Sequence, residues 1–401
     1  MSDLNQCKYY AASIFQKGIY LKHLHSTKGV RPCNCHIERN FKHLDSQILQ
    51  QAIDTIIDRH EVIRTTLVDI DGEIKQKVWP FSPAILKVEI IDLSRVKRQK
   101  NKLFDFIQAF LQSEFLPDQY PWLKVAVIKL SRSKYKLIMV MPHMITDNHS
   151  MDFLLNELKC LYKSYMLNKQ ISLSPIIQFG EYINSVESLL KSNGEKHKQF
   201  WLNILKDIPE KNLSSHLSSG GKEKIRPYTP FINQELEEAL GSLSAEAKKS
   251  FWGVVSCITK QGAAINIVLN SRHLRTLTKI SKVTKTNLEM VIIATFKLLS
   301  IRLSGENETI FGLNTNLRDN EELNGTIGFM INTVLLRYKA NPDHSFVDFI
   351  EDMKLSFFRT LRHKIYPFDM VLSKSDVSLD YVGNVFLNIL NQNQVKCDGG
   401  K

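Results

Sequence analysis

The segment Met141-Pro142-His143-Met144-Ile145-Thr146-Asp147-Asn148 places an imidazole four residues before a carboxylate. Imidazole ionises near neutrality, so His143 is suited to moving a proton. In a chain with 12 histidines, a His followed four residues later by Asp arises by chance on the order of once, so the spacing alone is weak evidence. Asp147 has two readings. It is a second base, or a buried carboxylate paired with an arginine that shapes the loop; a buried carboxylate needs such a partner, and Arg318 and Arg64 are the candidates. Cys33-Asn34-Cys35-His36 hints at a metal site, but zinc needs about four ligands and no second Cys/His pair lies at a suitable spacing. No metal is expected, and the six scattered cysteines read as structural or incidental rather than as a disulfide framework.

The surrounding pattern shows what would position His143. Leu137 to Met141 is almost wholly apolar, as a central buried strand should be, and it should end at Pro142, which cannot donate to a ladder. Ser150 is the expected cap of a following helix that carries Phe153, Leu154, Leu158, Leu161 and Tyr165. Upstream, Asp45 or Ser46 caps a helix whose stripe runs from Ile48 to Ile57. Strand-like segments follow at Ile74 to Trp79, Leu86 to Ile91 and Leu123 to Leu130. Downstream, helices through Tyr182 and Trp201 precede a Ser/Gly/Lys-rich loop, Ser214 to Lys224. Helix Asn287–Ser300, strands Thr309–Asn314 and Asn332–Tyr338, helix Phe346–Leu361 and a strand Asn384–Leu390 complete an alternation that predicts an α/β protein. The polar stretch Asn168 to Ser174 is the expected linker, dividing the chain into 1–172 and 173–401.

A length of 401 residues with 43% hydrophobic and 23% charged residues fits a globular chain of about two domains. No apolar run reaches the length of a membrane span, and the N-terminus lacks a secretory pattern, so a cytoplasmic location is expected. The net charge of +12 favours an acidic partner, but the basic residues are spread out and no nucleic-acid motif accompanies them.

Six further segments are ordered around the histidine. Ser13-Ile14-Phe15-Gln16-Lys17-Gly18-Ile19-Tyr20 and Arg59-His60-Glu61-Val62-Ile63-Arg64-Thr65 precede it; Phe179-Gly180-Glu181-Tyr182, Phe200-Trp201, the pair Gly312 to Arg318 with Ile327 to Thr333, and Tyr366-Pro367-Phe368-Asp369 follow. With a faint seventh at Asp376-Val377-Ser378, this series resembles the motifs of the condensation domains of nonribosomal peptide synthesis, in the coenzyme-A-dependent acyltransferase superfamily. Those carry two histidines, three variable residues, then Asp-Gly. Here the first histidine is Pro142 and the glycine is Asn148.

The resemblance implies two chloramphenicol-acetyltransferase-like lobes in a V-shaped pseudo-dimer, with His143 near the middle of a central tunnel. It implies amide formation between a carrier-bound acyl or aminoacyl thioester and an amine. His143 would orient or deprotonate the amine, or hydrogen-bond the oxyanion. Asp147, Asn148, Arg64 and Arg318 would shape the loop, Asn148 by tolerating the positive φ of the glycine it replaces. Asn332 and Thr333 would help close the tunnel, with core packing as the alternative; Trp201 is a tunnel contact or core. No cofactor is expected on the domain itself. The substrates would arrive on the phosphopantetheine arms of acidic carrier proteins, and the domain would be a monomer. Pro142 removes whatever support the first histidine gives, and a shortened second lobe is expected because the chain stops soon after Leu390. A hydroxyl acceptor, or an inactive docking module of a synthetase, is the competing reading.

Overall fold

In a computed structural model, the chain is described at residues 7–17, 20, 34–83, 85–208, 269–373, 386–387 and 389. Two compact units emerge: Met1–Ser192 with Asn316–Ile331, and Asn193–Thr315 with Asn332–Lys401. The expected linker Asn168–Ser174 falls inside the first of these, and the segment 316–331, distant in sequence, belongs to it as well.

The first unit is built on a four-stranded sheet in the order β2 (Asn34–Phe41), β7 (Lys134–Pro142), β6 (Lys124–Ser131), β5 (Glu89–Asp92). Strand β7 is antiparallel to both neighbours, and β5 is parallel to β6. The apolar run of β7 has a simple cause. Leu137, Met139 and Met141 enter one apolar cluster, whereas Ile138 and Val140 enter another on the opposite face. Helices α1 (Ser46–Arg59) and α3 (Asn148–Met166) pack together in the first cluster; α2 (Gln99–Leu111) supplies Phe106 and Phe110 to the second. Asp45 caps α1 by accepting from the amides of Gln47 and Ile48.

A second sheet has the order β1 (Lys8–Ala11), β4 (Glu73–Val78), β3 (Thr65–Ile70). Its β3–β4 hairpin turns at Asp71-Gly72, both with positive φ (52° and 80°), as a two-residue hairpin requires. The expected strand Leu86–Ile91 is shortened at its start. Gln50 of α1 donates to the Leu86 carbonyl and accepts from the Val88 amide, so these backbone groups are satisfied by a side chain instead of a ladder.

The second unit contains helices α5 (Ser271–Val283) and α6 (Leu288–Ser304), and a sheet in the order β10 (Phe386–Leu387), β8 (Glu308–Asn316), β9 (Ile331–Lys339). Helices α7 (Phe346–Leu361) and α8 (Phe368–Ser373) follow β9. The helices expected through Tyr182 and Trp201 form one continuous helix, α4 (Phe179–Leu205). The Ser214–Lys224 loop and the Asp376–Ser378 motif lie outside the described residues, as does most of the Asn384–Leu390 strand. Among the described residues, no helix is long and apolar enough to cross a membrane.

Candidate functional site

Strand β7 delivers its chain directly to the site. After Pro142 the backbone turns, with the Ile145 amide donating to the Pro142 carbonyl at 3.2 Å, and α3 begins at Asn148. His143 sits on that turn, half-buried among buried neighbours. Its Nδ1 lies 2.6 Å from the carbonyl oxygen of Thr146. A carbonyl can only accept, so Nδ1 carries a proton, and in the neutral ring the lone pair is then on Nε2. Nε2 has no hydrogen-bond partner among the described residues. The imidazole and the Phe329 ring meet perpendicularly at 5.0 Å between centroids, and Phe329 stacks on Phe15 at 4.3 Å.

Asp147 is 1% exposed and occupies both of its oxygens. Oδ1 accepts from the Ser150 amide and hydroxyl, each at 2.8 Å; Oδ2 accepts from Arg318 Nη1 at 2.7 Å and the Met330 amide at 3.1 Å. A carboxylate offers about four lone-pair sites, and four donors take them. Asp147 therefore has no site left for a substrate proton, and the arrangement favours the loop-shaping reading over the second base. Arg318 also donates through Nη2 to Ser150 Oγ at 2.8 Å and to the Thr326 carbonyl at 3.0 Å. The pair thus ties the start of α3 to the segment 316–331.

Three expectations are corrected here. The cap of α3 is Asp147, not Ser150: Ser150 is three residues further in, and its amide is the one being capped. Asn148 needs no positive φ, because it is the first residue of α3 and has helical backbone. Arg64 does not support the His143 loop. It ends the 3-10 turn Glu61–Arg64, and its guanidinium donates to the carbonyls of Ile57, Asp58 and Trp79. The first two are unpaired carbonyls at the C-terminus of α1, which a cation satisfies well.

The remaining candidates lie in the second unit. Asn332 Nδ2 donates to the carbonyls of Lys364 (2.6 Å) and Tyr366 (2.8 Å), and its Oδ1 accepts from the Phe368 and Thr333 amides. Trp201 is 2% exposed and donates Nε1 to the His363 carbonyl at 3.1 Å. Both side chains hold the His363–Phe368 turn between α7 and α8. Thr333 Oγ1 pairs with Asn314 Oδ1 at 3.1 Å.

Three residues contribute to the site in roles that the sequence does not mark. Ser150 bridges Asp147 and Arg318, Thr146 offers its carbonyl to His143, and Cys35 of β2 places Sγ 3.4 Å from His143 Nδ1. Pairing of Cys35 with Met141 in register brings it there across 108 residues of sequence, which no local pattern encodes. Among the described residues, no group of three or more His, Cys, Asp or Glu is placed to hold a metal ion.

The "Condensation domain" family model matches residues 6–249 and 258–396. Tyrocidine synthase 3 of Brevibacillus parabrevis is 25% identical over 406 residues, covering 98% of this chain and 6% of that protein. Surfactin synthase subunit 2 of Bacillus subtilis is 24% identical over 349 residues, covering 86% of this chain and 8% of that protein. The chain thus spans less than a tenth of these relatives' length. Among solved structures, the first condensation domain of the CDA synthetase matches with a TM-score of 0.68 at 13% identity, covering 96% of this chain and 83% of that one. The X-domain from teicoplanin biosynthesis also matches at 0.68, with 16% identity and coverage of 94% and 76%. With the family model spanning nearly the whole sequence, the chain belongs to the condensation-domain family.

Proposed function

We propose that this chain joins a carrier-bound acyl or aminoacyl thioester to an amine, forming an amide in nonribosomal peptide synthesis. The observation that carries this reading is the bond from His143 Nδ1 to the Thr146 carbonyl, which leaves Nε2 as the one free basic nitrogen on the turn. A neutral amine attacks the thioester carbonyl, and Nε2 takes the proton that the new C–N bond makes acidic. The protonated Nε2 then faces the tetrahedral oxyanion, and as the C–S bond breaks it returns the proton to the departing phosphopantetheine sulfur. No covalent enzyme intermediate is needed, because both substrates are held at one site. Asp147 and Arg318 fix the turn. Asn332 and Trp201 act on this reading as supports of the His363–Phe368 turn.

The family pattern extends the proposal to two acetyltransferase-like lobes with a tunnel leading to His143, to a cytoplasmic monomer, and to acidic carrier proteins as partners for a chain of net charge +12. The second reading is a docking module without turnover. Pro142 favours it, since a histidine at that position would offer polar atoms that proline lacks.

The test is incubation of the chain with a donor acyl-carrier and an acceptor aminoacyl-carrier, followed by intact mass of the acceptor carrier. A mass gain equal to the donor acyl group supports amide formation. A gain seen only with a hydroxyl-bearing acceptor moves the reaction to ester formation. Carrier binding without transfer to either acceptor supports the docking reading.

A further inference from the structure

Three polar atoms converge behind the free face of His143. Nδ1 lies 2.6 Å from the Thr146 carbonyl and 3.4 Å from Cys35 Sγ, and Sγ lies 3.9 Å from the same carbonyl. One assignment of protons satisfies all three contacts. The Cys35 thiol donates weakly to the Thr146 oxygen, and the sulfur lone pair faces the Nδ1 proton, which the carbonyl accepts. The reverse tautomer would set the bare Nδ1 lone pair against a carbonyl oxygen at 2.6 Å, a repulsive contact. The same proton on Nδ1 bars that nitrogen from deprotonating the thiol, so the pair is not a nucleophile and its base.

We propose that Cys35 is a positioning residue for His143: with the Thr146 carbonyl it forms a two-sided cradle for the Nδ1 proton, and so presents Nε2 outward in one ring orientation. The placement is built into the sheet. Cys35 pairs with Met141, two residues before His143, and it is 8% exposed, so the sulfur is held from behind by the core. Phe329 adds a perpendicular ring contact to the imidazole at 5.0 Å between centroids. Pro142 offers the imidazole no polar atom of its own, and the strand opposite supplies the contact instead. An ångström of misplacement at a reacting group costs up to about a hundredfold in rate, which is the scale on which such a cradle acts. The kinetic part of this inference rests on the proposed function; the tautomer does not.

The experiment uses the full chain labelled with 15N-histidine. Long-range 1H–15N spectra report which ring nitrogen of each histidine is protonated, and His143 is assigned from the peak lost in His143→Gln. The parent should show a protonated Nδ1 and a bare Nε2. Cys35→Val keeps the volume and suits a strand but removes the polar contact. The Thr146 carbonyl still holds the Nδ1 proton in that variant, so the tautomer should persist, while the loosened ring should give exchange broadening at His143, a transfer rate lower by about tenfold and a displaced pH–rate profile. Cys35→Ser, which keeps a donor and an acceptor at the position, should restore the parent signal and profile. If Cys35→Val keeps His143 signals as sharp as the parent's, or the parent never shows a protonated Nδ1, the inference is overturned. Should Cys35→Val fail to fold, Cys35→Ala is read in its place: broadened His143 signals uphold the cradle, and signals as sharp as the parent's refute it. A chain that transfers nothing to any acceptor defeats the proposed function, and the sharpness of the His143 signals still decides the role of Cys35.

Discussion

The Asp147 carboxylate and the Arg318 guanidinium meet at 2.7 Å with both side chains 1% exposed, although 171 residues separate them in sequence. Neither charge can be removed alone without stranding the other away from water, at a cost of about 3–5 kcal/mol. Arg318→Met should therefore destabilise the first unit by about that amount, and Asp147→Asn, which keeps an oxygen for the α3 cap, by somewhat less. The double variant should lose clearly less than the sum. Urea unfolding of all four proteins measures this, and strictly additive losses would show that the two residues do not act as a pair.

Lys297 is wholly enclosed in the second unit, donating to the Thr309 and Leu336 carbonyls with its ammonium 5.0 Å from the Phe311 ring centre. Burial pushes its pKa well below the ordinary lysine value of 10.5. The folded chain therefore binds fewer protons here than the unfolded one between the two pKa values, and stability rises with pH across that window. Lys297→Met lacks this dependence, so its stability relative to the parent should fall as pH rises towards 10.5. A difference that is flat with pH would mean that the amine stays protonated in the fold.

Asn332 satisfies two carbonyls and two amides around the His363–Phe368 turn. Asn332→Ala removes these four hydrogen bonds and should cost about 1–3 kcal/mol. The His143 nitrogen signals should not move, because the residue acts as a local clamp. A shifted His143 signal at unchanged stability would instead place Asn332 at the reaction centre.

Much of the site was legible because it follows local rules. The two-faced apolar run Leu137–Met141 and the proline after it mark where a buried strand must release His143, and the arginine needed by a buried Asp147 was narrowed to Arg318 or Arg64. What was not legible depends on long-range pairing. The partner strand that brings Cys35 to His143 and the side-chain ladder from Gln50 to Leu86 and Val88 leave no periodic trace. Arg64 differs for a local reason: the carbonyls of Ile57 and Asp58 at the end of α1, seven and six residues before it, take its guanidinium. A hydroxyl and a carboxylate three residues apart both suit a helix cap, and the Ser150 amide donating to Asp147 Oδ1 shows which one α3 uses.

On the proposed function, the charge of +12 should make the encounter with an acidic carrier sensitive to salt. The screening length falls from about 10 Å at 0.1 M to about 3 Å at 1 M. The second-order rate of carrier association should drop markedly over that range, while single-turnover transfer from the preformed complex changes little. Association that ignores salt would mean the charge only solvates the surface.

The central claim is that His143 Nε2 is the base for amide formation. The direct measurement is single-turnover transfer between carrier-bound substrates by the parent and by His143→Ala, at equal folded fraction. The account predicts a loss of about a hundred- to ten-thousand-fold. A His143→Ala rate within about threefold of the parent, far short of the loss expected for a general base, would contradict it.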